Sequence, residues 1–412
     1  MPTPRIALVC GHFDPVRDGV ADYTRHLARQ LRTMGLDVVI YTGEKHASAA
    51  DSAVGVTKRW NAPGVWRAAR SIAQLGADLV HVEFAPSAFG FSRAVGLLPR
   101  LLSGRAPVVT TLHEYGVWVG RGIGRRLRSA LWSTLERRGY LDRETLLLIH
   151  DSAALCVTAE EHQDVIAARF PGQRICAVFT PIGCNIPVHQ HDRAQARSLV
   201  QDSLGLPPGG RIVVFFGFLH PEKALDRLIA AVAALRTELP ELRLILAGGR
   251  ESHSVPRQAA VQLEDELRHV AYQHGIADRV IFTGYLAGAE LSSLLRAADV
   301  AVFPLNAGVT SKSGSLLAAL AHGVPSIATA APGDVTGPTE IGAVLRIPPA
   351  DTAALTAALR LVLTDPAMAE RLSRAGLAHA ATRTWDAAAT THTRLYETVL
   401  TTGTSRANRL VR

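Results

Sequence analysis

Short apolar runs alternate with longer segments of helical periodicity from one end of the chain to the other. In the segment 21–35, for example, Tyr23, Leu27, Leu31 and Met34 recur at the spacing of one helix face. The runs between such segments are short and rich in Val, Ile and Leu, which is typical of strands buried on both faces. The alternation predicts an α/β fold in which mostly parallel sheets are covered by helices on both sides.

This pattern occurs twice, with a polar, proline-containing stretch between the halves. The predicted strands are 5–10, 37–41, 78–84, 107–113, 154–158 and 175–180, then 211–218, 242–247, 279–283, 300–304, 326–329 and 344–347. We therefore predict two Rossmann-like, doubly wound domains facing a central cleft. Their bounds are 1–185 and 211–384, with a linker at 186–210 that includes one short helix, and a final helix and tail at 385–412 that is a candidate to cross back. Ligands of such sheets bind beyond the carboxyl ends of the strands, so we expect the site in the loops that follow strands.

Composition excludes several classes of protein. The chain has 412 residues, of which 48% are hydrophobic and 19% charged, so it is long enough for two cores and too apolar to be mostly disordered. It has no apolar run of membrane-spanning length and no secretory pattern at its start, and we expect a cytoplasmic protein. The four cysteines form no C-x-x-C pair, and no metal-binding motif is present, so we expect no metal and no cofactor.

The net charge of +8 leaves the class of partner open. No nucleic-acid-binding signature accompanies it, so we expect no nucleic acid. The arginines of the segment 121–128 are either an ordinary solvated surface or a contact for an anionic acceptor or membrane surface.

The loop 308–315 is the strongest local signal for chemistry. It follows a predicted strand and runs into a helix near Ser313, whose first turn offers backbone N–H groups and the positive end of the helix dipole. Lys312 adds a full charge, Ser313 and Ser315 add hydroxyl groups, and Gly314 permits close approach. This combination predicts a phosphate site; the alternative is a serine-capped helix without a ligand.

Two further side chains follow predicted strands. Lys223 comes after the first strand of the second half, where its charge would reach a phosphate; the alternative is a solvated lysine at a helix start. His113 ends a strand of the first half, where it would contact a sugar hydroxyl or a reacting group; a structural histidine is the alternative.

Several motifs, in the right order over nearly the whole chain, resemble glycosyltransferase family 4, which has the GT-B fold. The stretch 17–24 resembles the family's first loop, with Gly19 matching its glycine and Asp18 in place of a second one. The strand ending at His113 resembles the one whose histidine lies near the donor sugar. The stretch 216–223 resembles G-R-L-x-x-x-K-G, and 316–325 resembles L-L-E-A-M-A-x-G-x-P. The stretch from Gly284 resembles the one beside the nucleobase.

The chain also departs from the family's pattern. Phe218 stands in the place of an arginine that holds the diphosphate. Thr310 and Ala318 stand in the places of two glutamates that contact the sugar and the ribose. An altered phosphate site would explain these differences, because Lys312 would restore the positive charge that Phe218 removes.

The resemblance implies a retaining, metal-independent transferase of the hexosyltransferase type, with a nucleoside-diphosphate sugar as donor. The acceptor would be a small molecule, a glycan or a lipid-linked compound, with peripheral membrane contact as one option. The alternatives are a non-catalytic nucleotide-sugar-binding homologue and a sugar-nucleotide epimerase of the same fold. The residues expected to act in catalysis are His113, Lys223 and Lys312. Those expected to contact the donor are Gly19, Phe218, Lys223, Gly248, Tyr285, Leu286, Glu290, Thr310, Lys312, Ser313, Gly314 and Ser315. Those expected on the acceptor side are Asp18, Glu83, Glu114 and Tyr115.

Overall fold

The structure is a computed structural model that describes residues 3–15, 18–116, 132, 134–173, 175–189, 191–249, 257–330 and 342–402. The chain divides into two compact units: Met1–Ile182 with Trp385–Arg412, and Gly183–Thr384. The arginine-rich segment 121–128 and the end of the predicted tail lie outside the described residues.

The first unit is built on a parallel sheet. Its strands are β1 (Arg5–Cys10), β2 (Asp37–Gly43), β3 (Ala53–Thr57), β4 (Leu79–Phe84), β5 (Val108–Leu112), β6 (Ala154–Val157) and β7 (Ala177–Phe179). They lie in the order β3-β2-β1-β4-β5-β6-β7. The described helices beside them are α1 (Gly19–Thr33), α2 (Ala62–Gln74), α3 (Leu98–Leu101), α4 (Leu148–Asp151) and α5 (Glu161–Arg169).

The second unit repeats the architecture with a six-stranded parallel sheet. Its strands are β8 (Ile212–Phe216), β9 (Arg243–Ala247), β10 (Val280–Gly284), β11 (Val300–Phe303), β12 (Ser326–Thr329) and β13 (Leu345–Ile347). They lie in the order β10-β9-β8-β11-β12-β13. The described helices are α6 (Arg193–Leu204), α7 (Leu225–Ala234), α8 (Arg257–Gln273), α9 (Gly288–Ala297), α10 (Gly314–Ala321), α11 (Thr352–Thr364) and α12 (Pro366–Ala381).

The strand orders locate the places where ligands bind. Both sheets confirm the predicted doubly wound α/β fold, because each grows outward in two directions from its first strand. The order therefore reverses between β1 and β4 in the first unit and between β8 and β11 in the second. Diverging connections leave a crevice at the carboxyl ends of the strands at such a reversal.

The segment 385–402 belongs to the first unit. It forms α13 (Trp385–Thr402), which buries Tyr396 and Val399 in the same apolar cluster as Leu27 of α1. The rings of Trp385 and Tyr23 form a T-shaped contact, with centroids 5.1 Å apart. The first unit therefore takes part of its core from the end of the chain.

Three elements differ from the expectations drawn from the sequence. The stretch 186–210 does not stand free: α6 packs within the second unit, where Arg193 and Arg197 bond to the Asp299 carboxylate at 2.9 and 3.0 Å. Strand β3 was not predicted, because it is a short edge strand with a glycine in its interior. Helix α12 was not predicted either; it begins at Pro366, directly after the end of α11.

Candidate functional site

A cavity of about 350 Å³ lies at the reversal point of the second sheet, at the carboxyl ends of β8 and β11. Its polar lining comes from the turn Pro221–Lys223, the loop after β11 and the first turn of α10. The charged and polar residues are Lys223, Thr310, Lys312, Ser313 and Ser315, with Gly308 and Gly314 between them. Two lysines far apart in the sequence therefore line one cavity.

The turn that carries Lys223 is tied to the loop on the other side of the cavity. The backbone N–H of Asn306 donates to the Glu222 carbonyl at 2.9 Å, and Arg227 donates to the Asn306 side chain at 2.7 Å. The turn ends at Ala224, whose backbone is left-handed with φ +48°. These contacts hold the backbone of the turn in place, and they therefore fix the point from which the Lys223 side chain extends into the cavity.

The loop carrying Lys312 is anchored to the sheet. Thr329 of β12 donates to the Leu305 carbonyl at 2.7 Å, and the Val309 N–H donates to the Thr329 carbonyl at 2.9 Å. Helix α10 then begins at Gly314, after Ser313. The N–H groups of its first turn have no acceptor within the helix, so they add partial positive charge beside the two ammonium groups.

The electrostatics of this cavity favour an anion. Burial lowers the pKa of the Lys223 ammonium below its usual range, and the nearby Glu222 carboxylate opposes that shift. A partly desolvated cation gains stability from a bound anion. With Lys312 and the start of α10 at the same cavity, the arrangement suits the several oxygens of a phosphate or diphosphate.

None of the remaining residues expected to contact a donor is among those that line this cavity. The Glu290 carboxylate accepts from the Ala287 N–H at 3.0 Å and caps α9. Phe218 packs at Gly249, and Gly248 is in close contact with Gly217. Tyr285 is exposed and Leu286 half-buried, whereas Gly19 lies in the first unit, at the start of α1.

Thr310 and Ala318 occupy different surroundings. Thr310 lines the cavity, whereas Ala318 is 1% exposed and faces the core. A carboxylate at position 318 would be buried among apolar side chains, and it would need a partner to remain ionised.

In the first unit, His113 follows β5 and is held from two sides. Its backbone N–H donates to the Phe84 carbonyl at 2.9 Å, and its ring Nε2 lies 2.8 Å from Glu83 Oε2. The Tyr23 ring packs against the imidazole in a T-shaped contact, with centroids 4.6 Å apart.

The structure corrects part of the acceptor-side prediction. Glu83 and Tyr115 are 0% and 2% exposed, so neither offers a surface to an acceptor. Tyr115 donates to Asp142 at 3.2 Å, and its ring lies 4.4 Å from the Arg169 guanidinium. Asp18 accepts from the Ala21 N–H at 2.8 Å and caps α1, and Glu114 is exposed.

A second cavity, of about 430 Å³, was missed by the sequence analysis. It lies at the carboxyl ends of β1 to β4, and its lining includes one carboxylate, Glu44, and a larger set of basic side chains: His12, Lys45, His46, Lys58 and Arg59. Trp60 and Phe89 form an apolar wall, and the Trp60 indole donates to the Gly11 carbonyl at 2.8 Å. Lys58 and Arg59 follow β3, and because that strand was not predicted, the rule that ligands bind after strands did not point to these two residues.

Within the described residues, no group of three or more His, Cys, Asp or Glu side chains is placed to hold a metal ion. None of the helices described is both long and apolar enough to cross a membrane.

Two models of known protein families match this chain, one in each half. The model "Glycosyl transferase 4-like domain" matches residues 18–179, and "Glycosyl transferases group 1" matches residues 210–365. Together they cover about three quarters of the chain.

Curated relatives include D-inositol 3-phosphate glycosyltransferases. The one from Jonesia denitrificans is 27% identical over 96% of this chain and 96% of its own length; the one from Streptomyces coelicolor is 27% identical over 95% and 91%. The relative from Salinispora arenicola is 32% identical, over 47% of this chain and 43% of its own length.

Solved structures share the fold. Sucrose-phosphate synthase from Thermosynechococcus elongatus superposes with a TM-score of 0.70 at 21% identity, over 97% of this chain and all of that one. Anabaena Alr3699/HepE in complex with UDP and glucose gives a TM-score of 0.70 at 16% identity, over 96% of this chain and all of that one.

Proposed function

We propose that this chain, which belongs to glycosyltransferase family 4 and has the GT-B fold, transfers a hexose from a nucleoside-diphosphate sugar to an acceptor hydroxyl with retention. The observation that carries the proposal is the convergence of Lys223, Lys312 and the start of α10 on one cavity. The complex of HepE with UDP and glucose supports a nucleotide-sugar donor for this fold.

The chemistry follows from charge. When the bond between sugar and diphosphate breaks, negative charge develops on the leaving oxygens, and groups aimed at that charge stabilise the transition state. Lys223 and Lys312 supply two full charges, and the first-turn N–H groups of α10 supply oriented dipoles. Because this charge is available from the chain, we propose that the reaction needs no metal.

Retention requires the acceptor to attack from the face that the diphosphate leaves. We propose that a leaving phosphate oxygen takes the acceptor's proton as the new glycosidic bond forms. The lining of the cavity supports this route, because none of its residues in the described part of the chain is a carboxylate that would serve as base or nucleophile.

The acceptor is proposed to carry an anionic group. Lys45, Lys58 and Arg59 give the first unit's cavity a basic lining, and Trp60 with Phe89 gives it an apolar wall. This chemistry suits a small molecule that combines a phosphate with a less polar body. The relatives named for D-inositol 3-phosphate support that class of acceptor.

A binding protein without turnover is the second candidate. Thr310 and Ala318 favour it, because they replace two glutamates expected near the ribose and sugar. An epimerase is less well supported, since the described lining of the cavity lacks the carboxylates that acid–base chemistry at a sugar carbon would use.

A panel of nucleotide sugars distinguishes these functions. The expected result is that one donor raises the unfolding temperature and is consumed, with release of the diphosphate, when a phosphorylated polyol is added. Stabilisation without consumption in the presence of a broad acceptor panel would identify the binding protein, and no stabilisation by any donor would contradict the proposal.

A further inference from the structure

A row of polar side chains crosses the apolar core of the first unit beneath His113. Alternate side chains of a strand share a face, and the sheet register pairs Glu83 of β4 with Thr111 of β5. His81, Glu83 and Thr111 therefore point to one face, and His113 lies at its end. Helices α1 and α13 cover this face with apolar side chains.

This row divides into two separate hydrogen-bonded groups. His81 bonds through Nδ1 to the Tyr396 hydroxyl at 2.5 Å and through Nε2 to Thr111 Oγ1 at 2.7 Å, which engages both of its ring nitrogens. Glu83 Oε2 bonds to His113 Nε2 at 2.8 Å. The nearest approach between the groups, His81 Nε2 to Glu83 Oε1, is 3.8 Å, which is beyond hydrogen-bond distance.

The side chain of Glu83 is bound to a single partner in the described structure. It is fully buried, and its Oε1 has no hydrogen-bond partner there. Burying a carboxylate lowers the stability of the fold unless the carboxylate is paired, so an apolar residue would stabilise this position more if packing were its only role. The hydrogen bond to His113 is therefore the interaction that accounts for a glutamate at this position.

We propose that Glu83 is a positioning residue for His113: its carboxylate accepts from Nε2–H and so sets both the ring orientation and the nitrogen that carries the proton. This inference rests on the proposed function, because family resemblance is what places His113 near the donor sugar. The Tyr23 ring also packs against the imidazole in a T-shaped contact, with ring centroids 4.6 Å apart, which adds a packing restraint to the hydrogen bond.

The expected benefit is catalytic rather than structural. A side chain that contacts a reacting group must be held in the productive geometry, and small displacements lower the rate strongly. Loss of Glu83 should therefore lower kcat through His113, and it should have no further effect when His113 is absent.

A double-mutant cycle tests this coupling. We expect Glu83→Ala and His113→Ala each to lower kcat at least tenfold, with the donor KM within threefold of the wild-type value. The double variant should lie within twofold of His113→Ala. Glu83→Gln, which keeps an acceptor oxygen at the same place, should retain at least a third of wild-type kcat.

Tyr396→Phe is the matched control. It removes a buried hydrogen bond from the same face, at His81, without touching Glu83 or His113. We expect it to lower the unfolding temperature and leave kcat within twofold. If the losses of kcat for Glu83→Ala and His113→Ala instead multiply in the double variant, or Glu83→Gln is as slow as Glu83→Ala, the positioning role is refuted.

An NMR measurement tests the geometry without any activity. In protein labelled with ¹⁵N-histidine, the His113 signals are assigned by their loss in His113→Ala. We expect a protonated Nε2 in the wild type and loss of that preference in Glu83→Ala. An unprotonated Nε2 in the wild type would overturn the inference, whereas a wild-type protein that shows the protonated Nε2 but transfers no sugar would contradict the proposed function alone.

Discussion

Gly248 is packed so tightly against Gly217 that a Cβ on Gly248 would overlap the Gly217 carbonyl oxygen. The contact lies where the chain leaves β8 and β9: the Gly217 N–H donates to the Ala247 carbonyl at 3.0 Å, and the Gly248 N–H donates to the Gly284 carbonyl at 3.0 Å. A Cβ on Gly217 would itself lie 3.4 Å from the Ser315 hydroxyl, in the lining of the second unit's cavity. The shape of that cavity therefore depends on two backbones that approach without side chains.

We expect Gly248→Ala to lower the free energy of unfolding of the second unit by about 1–3 kcal/mol, as overpacking does. Gly249→Ala is the control, because its Cβ would make only an ordinary contact with the Phe218 ring, at 3.5 Å. Urea unfolding followed by circular dichroism measures both. Equal losses for the two variants would show that the close approach at Gly248 carries no special strain.

Ala224 is a position where glycine, rather than alanine, should stabilise the protein, because its backbone is left-handed with φ +48°. A left-handed residue with a Cβ costs roughly 1 kcal/mol, so Ala224→Gly should raise the free energy of unfolding by about that amount. Ala230→Gly, in the interior of α7, should lower it by about 1 kcal/mol. A loss in both variants would contradict the strain at Ala224.

The buried histidines of the first unit predict acid sensitivity. Burial lowers the pKa of His81 to about 3 and also lowers the pKa of His392. Below about pH 6.5 the unfolded chain binds protons that the folded unit does not, so stability falls as the pH falls, by up to about 1.4 kcal/mol per pH unit for each histidine. Glu83 opposes this trend, because burial raises its pKa and the folded unit gains that proton first.

Tryptophan fluorescence isolates this unit, since all five tryptophans lie within residues 1–182 and 385–412. Urea unfolding between pH 7 and 5 should show this decline in stability, and His392→Gln should make the decline shallower, because burial lowers the pKa of His392. An unchanged slope in His392→Gln would mean that His392 is protonated in the folded state as readily as in the unfolded chain.

The basic cavity of the first unit predicts how the acceptor is recognised. With a phosphorylated acceptor, Lys58→Ser with Arg59→Ser should raise the acceptor KM by about tenfold or more and leave the donor KM unchanged, because charged hydrogen bonds to phosphate are lost. Arg67→Ser, an exposed change on the neighbouring α2 outside the cavity, is the control. If the acceptor KM rises in both the double variant and Arg67→Ser, or in neither, the acceptor does not bind in this cavity.

The sequence predicted most strands of both sheets and the cavity described in the second unit, but not the cavity described in the first. Its apolar runs marked the buried parallel strands, which is why twelve of the thirteen strands in the described part of the chain, including β1 and β8, were recognised and β3 was missed. Loop position after β8 and β11 correctly brought Lys223 and Lys312 together.

The rest depended on distant contacts that local patterns do not show. Glu83 was expected on the acceptor side, because a loop that follows a strand of the first half begins there, but in the folded unit it is fully buried beside His113. Glu290 was expected to contact the donor, but in the structure its carboxylate accepts a hydrogen bond from the Ala287 N–H and caps its own helix.

The altered phosphate site predicts that position 318 no longer matters. Because Ala318 faces the core, Ala318→Glu should not restore binding or activity in the Lys312→Ala variant, and it should lower stability as a buried carboxylate. Rescue by Ala318→Glu would mean that the site still works through the family's glutamate rather than through Lys312.

Calorimetric titration with UDP, GDP and ADP tests the central claim, that Lys223 and Lys312 hold one diphosphate. For the nucleotide that binds, Lys223→Ala should weaken the affinity by about 1.5–3 kcal/mol, which is roughly ten- to a hundredfold in Kd. Lys312→Ala should cost at least as much, and Arg374→Ala, on the exposed face of α12, should change nothing. If Lys312→Ala binds as tightly as the wild type while Lys223→Ala is weakened, the two lysines do not share a ligand and the proposed diphosphate site is wrong.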